Sequence, residues 1–466
     1  MLQQGVLCRI SITEIWQTHR GAAVACAVVL ISAILETDKF QETVPTLHSM
    51  PHALRTLTRD GWLLFLTRFV RLFAYGSLSV VLVFYLISLG LSEAQTGLLL
   101  TLTLVGDTVV SLYLTTRADR VGRRRMLIVG AVLMAAAGLA FAFTRNFLLL
   151  IIAGTIGVIS PSGNEVGPFL SIEQAALSHV VPGRSRTEAF AWYTLAGSVA
   201  TAVGALCAGT ITHMLQQRTV MRPVVTYQVV VILYAILGVL LAFVFARLSA
   251  DAEVSEPGEQ SVSAGKLKSF LGISGSRHVV AKLASLFALD SFAGGFVVQS
   301  FAAYWFFLRF GVDPGTLGVI FFWANIFAGI SSLLASRIAS RFGLVKTMVF
   351  THLPSNILLI LVPLMPNLSL ATLVLLLRFS ISQMDVPTRQ SYTMAVVSAE
   401  ERSAAAGITG VARTTGAAIS PLFVGFMFAR PSLINLPFYI AGSLKIVYDL
   451  LLYREFVAVR PPEESF

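Results

Sequence analysis

Twelve apolar runs, each close to the length of a membrane-spanning helix, constrain this chain more than any other feature. A helix needs about 20 mostly apolar residues to cross a bilayer. The pattern therefore predicts an all-α membrane protein with twelve transmembrane helices. The fourth run is too long for one straight helix, and Ser160-Pro161-Ser162-Gly163 predicts an interruption inside it. The runs cover residues 62–88, 97–116, 126–143, 147–178, 188–211, 226–247, 282–308, 316–336, 346–364, 369–396, 403–428 and 436–453.

Composition indicates a surface that faces lipid. Only 12% of the 466 residues are charged and 56% are hydrophobic, whereas a soluble domain carries roughly 25% charged residues. This excludes soluble enzymes, secreted disulfide scaffolds and disordered regulators. The three cysteines form no CxxC pair, and no Walker, HExxH or GxSxG motif is present. We therefore expect no enzyme activity, no cofactor and no bound metal.

Basic residues gather on one side of the predicted membrane. If both ends of the helical core are cytoplasmic, most loop Lys and Arg residues lie on that side, which is the usual bias of membrane proteins. The net charge of +10 follows from this bias and does not indicate nucleic-acid binding. We expect a multi-pass protein with cytoplasmic core termini, in the plasma membrane rather than an internal membrane. The opposite side holds only Arg145, Arg218, Arg222, Arg309 and Arg430.

A weak internal repeat relates two halves of six helices, an arrangement known among transporters. We divide the chain into an extension over 1–60 that is either disordered or signal-like, a first half over 61–247, a linker over 248–277, a second half over 278–454 and a cytoplasmic tail over 455–466. The repeated pairs are Gln174/Gln390, Arg186/Arg402 and Gly209/Gly425 at an offset of 216, and Gly97/Gly318, Arg120/Arg341 and Gly122/Gly343 at an offset of 221.

The segment after the second run, TTRADRVGRRR over 115–125, resembles the signature of the major facilitator superfamily, G-x-L-a-D-R-x-G-R-R. Its counterpart in the second half is degenerate, with Ser340 in place of the acid. The resemblance implies two halves that rock around a central site, with helices 2 and 11 facing each other. It also implies a gating role for the motif, although the arginines equally fit simple topology anchors. The gating candidates are Asp119, Arg120, Gly122, Arg123 and Arg124.

Ionisable residues inside the runs are candidates for coupling, because charge at membrane depth is costly unless it is paired or hydrated. We expect Asp107 and Arg413 to form an ion pair between the halves, or else to have separate local partners. We expect Asp290 to be a lone carboxylate whose charged form desolvation disfavours, so that it binds and releases a proton. A hydrogen bond to a neighbouring helix is its alternative role, and Asp385 is a further candidate.

Several other polar and aromatic residues are predicted to line a central cavity. Lys445 and Asp449 lie four residues apart on the last helix, a spacing that predicts an ion pair between them. Arg68 and Arg71 precede an apolar run and are expected at the membrane interface. The cavity candidates are Glu165, Gln299, Asn325, Arg378, Tyr75 and Tyr304.

These features favour a secondary active transporter that moves a small solute by alternating access, with proton-coupled efflux of organic or toxic compounds as the first hypothesis. Uptake of a nutrient or an anionic metabolite is the alternative, with Arg413 and Arg378 as counter-charges. A non-transporting receptor or sensor on the same scaffold is the hypothesis of a different class. The expected partners are a small-molecule substrate, protons and the lipid bilayer, and the protein is expected to work as a monomer.

Overall fold

The structure is a computed structural model, and it describes residues 57–163, 169–181, 186–218, 222–249, 276–397 and 401–459. The predicted cavity residue Glu165 lies outside these residues, as do nearly all of the predicted extension and linker and most of the tail. The backbone of Asp119 and Arg120 is described, but their side chains are not.

The described chain folds into long helices, which confirms the predicted all-α class. Eleven segments are long and apolar enough to cross a membrane, and the short apolar helix α4 begins the remaining one of twelve. The first half contains α1 (Arg59–Ser88), α2 (Glu93–Val121), α3 (Arg123–Phe143), α4 (Phe147–Ile156), α5 (Phe169–Val180), α6 (Arg186–Arg218) and α7 (Pro223–Phe245). The second half contains α8 (Arg277–Gly295), α9 (Gln299–Phe310), α10 (Pro314–Phe342), α11 (Leu344–Leu361), α12 (Leu368–Ser382), α13 (Asp385–Ala395), α14 (Arg402–Phe428) and α15 (Leu436–Phe456).

Three spanning segments are interrupted near their middle. The predicted break in the fourth run is present, because α4 ends at Ile156 and the backbone through Gly163 is not helical. Pro161 has no N–H to donate there, and Gly163 has a positive φ of 68°. Further breaks separate α8 from α9 and α12 from α13. Pro387 occupies the first turn of α13, where a missing N–H costs little.

Large apolar side chains cover the outside of the bundle. Val109, Phe143, Leu148, Phe243 and Phe342 are each between 62% and 72% exposed. Such exposure would be costly in water. The same side chains suit contact with lipid tails, which agrees with a bundle that spans a bilayer.

The two halves meet along α2–α14 and along α6–α10. Glycines let each pair approach closely. A Cβ added to Gly97 would lie 2.9 Å from the Cα of Gly425, and one added to Gly209 would lie 2.8 Å from the Cα of Gly318. The sequence repeat relates Gly97 to Gly318 and Gly209 to Gly425, so the two crossings are repeats of each other. The family resemblance implies that the second and eleventh spanning helices face each other. These helices are α2 and α14, and they are in contact.

Candidate functional site

A buried ion pair joins α1 to α5 in the first half. The Arg71 guanidinium donates to both carboxylate oxygens of Glu173, at 2.6 and 2.8 Å, and neither side chain is exposed. The hydroxyl of Thr67 donates to the same carboxylate at 2.9 Å, and so does that of Tyr193. The expectation that Arg71 lies at the membrane interface is therefore wrong, because Glu173 supplies the counter-charge that allows its burial.

Arg68 is buried in the same region, with only 5% of the residue exposed. Its guanidinium carbon lies 4.2 Å from the centre of the Tyr193 ring, where the face of the ring attracts a cation. The interfacial placement expected for Arg68 is also wrong. Both arginines of α1 thus point into the first half rather than towards lipid headgroups.

Asp290 on α8 lies at the centre of a second cluster, in the other half. Its Oδ2 accepts a hydrogen bond from Arg389 of α13 at 2.9 Å, and its Oδ1 accepts one from Lys445 of α15 at 2.5 Å. The expectation of a lone carboxylate is wrong, because two cations from other helices contact it. Arg389 also contacts Asp385 at 3.4 Å. The structure thus brings the two candidates Asp290 and Asp385 together around one arginine.

The last helix does not form the ion pair expected from its spacing. Lys445 contacts Asp290 instead of Asp449. Asp449 accepts hydrogen bonds from Asn356 at 2.8 Å and lies 2.8 Å from Nδ1 of His352. Both of these partners belong to α11. The sequence analysis did not identify His352 and Asn356. Two polar residues one helical turn apart on an apolar helix are the signal that could have identified them.

The two clusters occupy related positions with opposite charges. Glu173 and Arg389 are separated by 216 positions, the offset that relates Gln174 to Gln390. Glu173 pairs with Arg71 on the first spanning segment of the first half. Arg389 pairs with Asp290 on the first spanning segment of the second half. The repeat therefore preserves a buried ion pair between first and fourth segments while reversing its polarity.

Asp107 and Arg413 lie on α2 and α14, the helices along which the two halves meet. Asp107 is 1% exposed on α2, and its charge acts on Tyr234 of α7. Arg413 of α14 interacts electrostatically with Asp290 and with other members of the second cluster. No ion pair joins Asp107 to Arg413 in the described part of the chain.

Arg378 lies beside the second cluster. Its charge interacts with Asp290 and Asp385, and its guanidinium carbon lies 4.9 Å from the centre of the Phe379 ring. Among the described residues, the Nε atoms of Arg378 and Arg413 have no hydrogen-bond partner. Each of these two arginines thus keeps one buried donor without an acceptor among the described residues.

Polar side chains from both halves meet where the broken segments cross. The Gln299 amide donates to the Ser79 hydroxyl at 2.8 Å, and the Asn325 amide donates to the Gln299 carbonyl at 3.0 Å. The Ser300 hydroxyl donates to the carbonyl of Pro161 at 2.5 Å. Two predicted cavity residues therefore form one hydrogen-bonded chain between the halves.

The two tyrosines predicted as cavity walls are placed differently. Tyr75 is fully buried and stacks on Tyr234 with ring centres 6.3 Å apart, so it packs within the first half. Tyr304 of α9 donates to Glu93 of α2 at 3.2 Å, between the halves. Its ring also contacts Phe84, with centres 5.6 Å apart.

The predicted gating motif forms the tight junction between α2 and α3. Gly122 has a φ of 110°, and its repeat counterpart Gly343 has a φ of 85° between α10 and α11. A residue with a Cβ atom is strained at such φ values, so both junctions favour glycine. Arg123 is buried, and Arg124 donates to the carbonyl of Ala246 at 2.5 Å. Arg124 thus ties the motif to the end of α7.

One end of the bundle is closed by contacts between the halves. We use the term closed end for the end of the bundle that holds residues 89–92 and 311–313. The charge bias of the sequence predicts that this end lies outside. Nδ1 of His213 lies 2.8 Å from Asp313 there. Partial burial opposes ionisation of Asp313, but hydrogen bonds from Thr316 and the nearby His213 outweigh it and lower the pKa of the carboxyl. Towards the other end, a Cβ on Gly407 or Gly410 of α14 would meet no described atom within 4 Å.

Comparison with known proteins agrees with this architecture. The chain matches the Major Facilitator Superfamily over residues 64–377 and 283–466. It is 32% identical over 426 residues to an uncharacterized membrane protein of Saccharomyces cerevisiae, YJR124C, covering 86% of this chain and 95% of that protein. It is 28% identical to the purine ribonucleoside efflux pump NepI of Escherichia coli O127:H6, over 54% of this chain and 58% of the pump.

Solved structures share the fold at low sequence identity. A mutant of the nucleoside transporter NupG superposes with a TM-score of 0.66 at 12% identity, covering 85% of this chain and all (100%) of that chain. The inward-open xylose transporter XylE from E. coli has a TM-score of 0.65 at 14% identity, over 84% of this chain and 96% of that one. With the family match, the twelve spanning segments and the repeated halves, the chain belongs to the Major Facilitator Superfamily and is a transporter of small solutes.

Proposed function

We propose that the protein exports small polar organic solutes by proton-coupled alternating access, and that purine nucleosides are the first class to test. The similarity to a purine ribonucleoside efflux pump supports both the solute class and the direction. A solved relative in fold is named a nucleoside transporter, which is consistent with that solute class.

The observation that carries this proposal is the hydrogen-bonded chain at the helix breaks. Gln299 and Asn325 each offer a carbonyl acceptor and an amide donor, and Ser79 offers a hydroxyl. Amide side chains match the paired donors and acceptors on the edge of a purine, and a hydroxyl suits a ribose. A solute that replaces these contacts would enter between the halves without leaving buried polar groups unpaired.

Proton coupling is supported by the buried carboxylates of the second half. Asp290, Asp385 and Asp449 are at most 5% exposed. A change in the protonation of Asp290 or Asp449 alters a contact between helices. Ionisable groups at membrane depth commonly mark proton pathways. The junction at Gly122 is proposed to act as the gating motif of the family, with both core termini in the cytoplasm of a plasma-membrane monomer.

Flux measurements test the proposal directly. The purified protein is reconstituted into liposomes, and movement of radiolabelled inosine is followed with and without an imposed pH gradient. We expect accumulation that depends on the gradient and that collapses with a protonophore. Gln299→Leu should reduce flux more than Gln217→Leu, a matched change at the end of α6. Flux of inosine that ignores the gradient would contradict proton coupling.

A second candidate function is uptake of an anionic metabolite. Arg378 and Arg413 favour it, because their Nε atoms have no hydrogen-bond partner among the described residues. Competition of unlabelled organic anions against inosine in the same liposomes separates the two. Transport of an anion that Arg378→Gln abolishes would favour this candidate, and no flux of any solute would favour a receptor.

A further inference from the structure

His352 and Asp449 form a buried acid–base pair away from the contacts between the halves. Nδ1 of the His352 ring lies 2.8 Å from Oδ1 of Asp449. His352 is 4% exposed and Asp449 is 0% exposed. The Asn356 amide donates to the second carboxylate oxygen. A carboxylate buried this deeply needs either a nearby positive charge or a proton of its own.

The other cations of the second cluster are engaged by other carboxylates. Lys445 lies one turn from Asp449 on the same helix, yet it contacts Asp290. Arg389 is shared between Asp290 and Asp385. The charges of Arg378 and Arg413 act on these same two carboxylates. Within the described residues, His352 is therefore the side chain in contact with Asp449 that can carry a positive charge.

Five helices pack against α11, and their ionisable groups define the surroundings of His352. On α10, Arg337 and Arg341 lie in the last two turns, next to the start of α11 rather than at the level of His352. The imidazole ring also meets the Tyr448 ring edge-on, with centres 5.9 Å apart. The remaining groups that belong to the second cluster or adjoin it are Asp290 on α8, Arg378 on α12, Asp385 and Arg389 on α13, and Lys445, Tyr448 and Asp449 on α15.

We propose that the His352–Asp449 pair binds the proton that drives the transport cycle, a proposal that rests on the proton coupling proposed above. Nε2 of His352 lies 4.0 Å from Oδ1 of Asp290. Proton binding forms one N–H bond on the imidazole and adds one positive charge, with no oxidation or reduction. The imidazolium then has a hydrogen-bonded carboxylate on one side and Asp290 on the other.

The added charge acts on the Asp290–Arg389 pair. Asp290 then has three cations around it instead of two, and the imidazolium repels Arg389. Arg389 lies on α13, the short helix that follows the break at residues 383–384. A break allows the short helix to shift without unwinding the rest of its span. Proton binding thus loosens the link between α8 and α13, and proton release restores it.

The first experiment measures protonation without any substrate. Solid-state nitrogen NMR is recorded on histidine-labelled protein in liposomes from about pH 5 to about pH 8, the range in which histidine commonly titrates. His352→Gln assigns the signal, and His278→Gln, an exposed site on α8, is the matched control. We expect the His352 signal to change with pH and to shift in Asp290→Asn. A His352 signal that stays constant across this range overturns the proposal.

The second experiment separates coupling from transport itself. Inosine accumulation driven by a pH gradient is compared with inosine exchange at equal pH on both sides. In His352→Gln and in Asp449→Asn we expect the driven accumulation to fall by about tenfold or more, while exchange stays within about twofold. His278→Gln should change neither readout.

The outcomes distinguish this inference from the function on which it rests. Driven accumulation that survives in both variants overturns the role of His352. Loss of accumulation together with exchange, in protein that still elutes as a monodisperse peak, also overturns it, because the pair would then be structural. If the wild-type protein exchanges inosine but ignores the gradient, proton coupling fails as a proposed function. The NMR titration still reports whether His352 binds a proton.

Discussion

Gly97 of α2 and Gly425 of α14 touch backbone to backbone where the two halves meet at the closed end. A Cβ on Gly425 would lie 3.0 Å from the Cα of Gly97 and 2.5 Å from the carbonyl oxygen of Glu93. Because backbone atoms cannot move aside as a flexible side chain can, a larger residue here must separate the helices. The close contact of α2 with α14 at the closed end therefore requires glycine at both positions.

We predict that Gly425→Val opens the closed end. Overpacking a tight contact costs about 1–3 kcal/mol, which shifts a two-state equilibrium by roughly 5–150-fold. Spin labels on Ser88 and Arg309, exposed on opposite halves at this end, would report a longer distance by double electron–electron resonance. Gly410→Val on the same helix is the control, because no described atom lies within 4 Å of its added Cβ. Equal shifts in both variants would contradict the prediction.

We predict that Glu173→Gln destabilises the first half strongly. It leaves the buried Arg71 guanidinium without its counter-charge, and breaking a buried pair in this way costs about 3–5 kcal/mol. The midpoint of thermal unfolding in detergent, followed by tryptophan fluorescence, measures the loss. Glu455→Gln is the comparison, because its ion pair with Lys282 is exposed and should contribute little. A similar fall in both midpoints would count against the prediction.

We predict that Lys445 is coupled energetically more strongly to Asp290 than to Asp449. Double-mutant cycles between Lys445→Met and either Asp290→Asn or Asp449→Asn measure the two coupling energies from thermal unfolding. Residues in contact show coupling of about 0.5–3 kcal/mol, and we expect a smaller value for Lys445 and Asp449, which are connected only through Asp290 and His352. The spacing along α15 alone favours the opposite result, so a larger coupling with Asp449 would refute the arrangement of this cluster.

We predict that Asp313 does not set the pH dependence of transport. Its pKa is lowered, so the carboxylate stays ionised at neutral pH and loses its stabilising charge only as the pH falls below its usual range. Asp313→Asn should leave the pH profile of inosine exchange unchanged in shape from about pH 5.5 to about pH 8. Asp313→Ala should lower stability by about 1 kcal/mol through loss of the α10 cap. A profile displaced by Asp313→Asn would be the contrary result.

The membrane-spanning segments were predictable because hydrophobic length alone decides whether a helix crosses a bilayer. The break around Pro161 was predictable for a similar reason, since a residue without an N–H cannot continue the hydrogen-bond ladder. The repeat identified Gly97 and Gly209 and their counterparts as equivalent positions, but only the structure shows that the halves meet there.

The partners of buried charges were not predictable in the same way. Glu173 lies 102 residues from Arg71, and nothing local to either residue indicates that α5 packs on α1. Lys445 and Asp449 lie one turn apart, yet Lys445 contacts Asp290 of α8 whereas Asp449 contacts His352 of α11. Which face of a helix meets which neighbour is a property of the assembled bundle, and the spacing of charges along one helix does not indicate it.

The reversed polarity of the two buried ion pairs has an electrical consequence. The halves of such a transporter are related by a twofold axis along the membrane normal. This rotation would turn the in-plane dipole of Arg71–Glu173 to the opposite direction, so an identical pair in the second half would cancel it. Asp290–Arg389 carries its charges the other way round, and the in-plane components therefore add. We therefore expect the two pairs to reinforce each other's in-plane field between the halves instead of cancelling it.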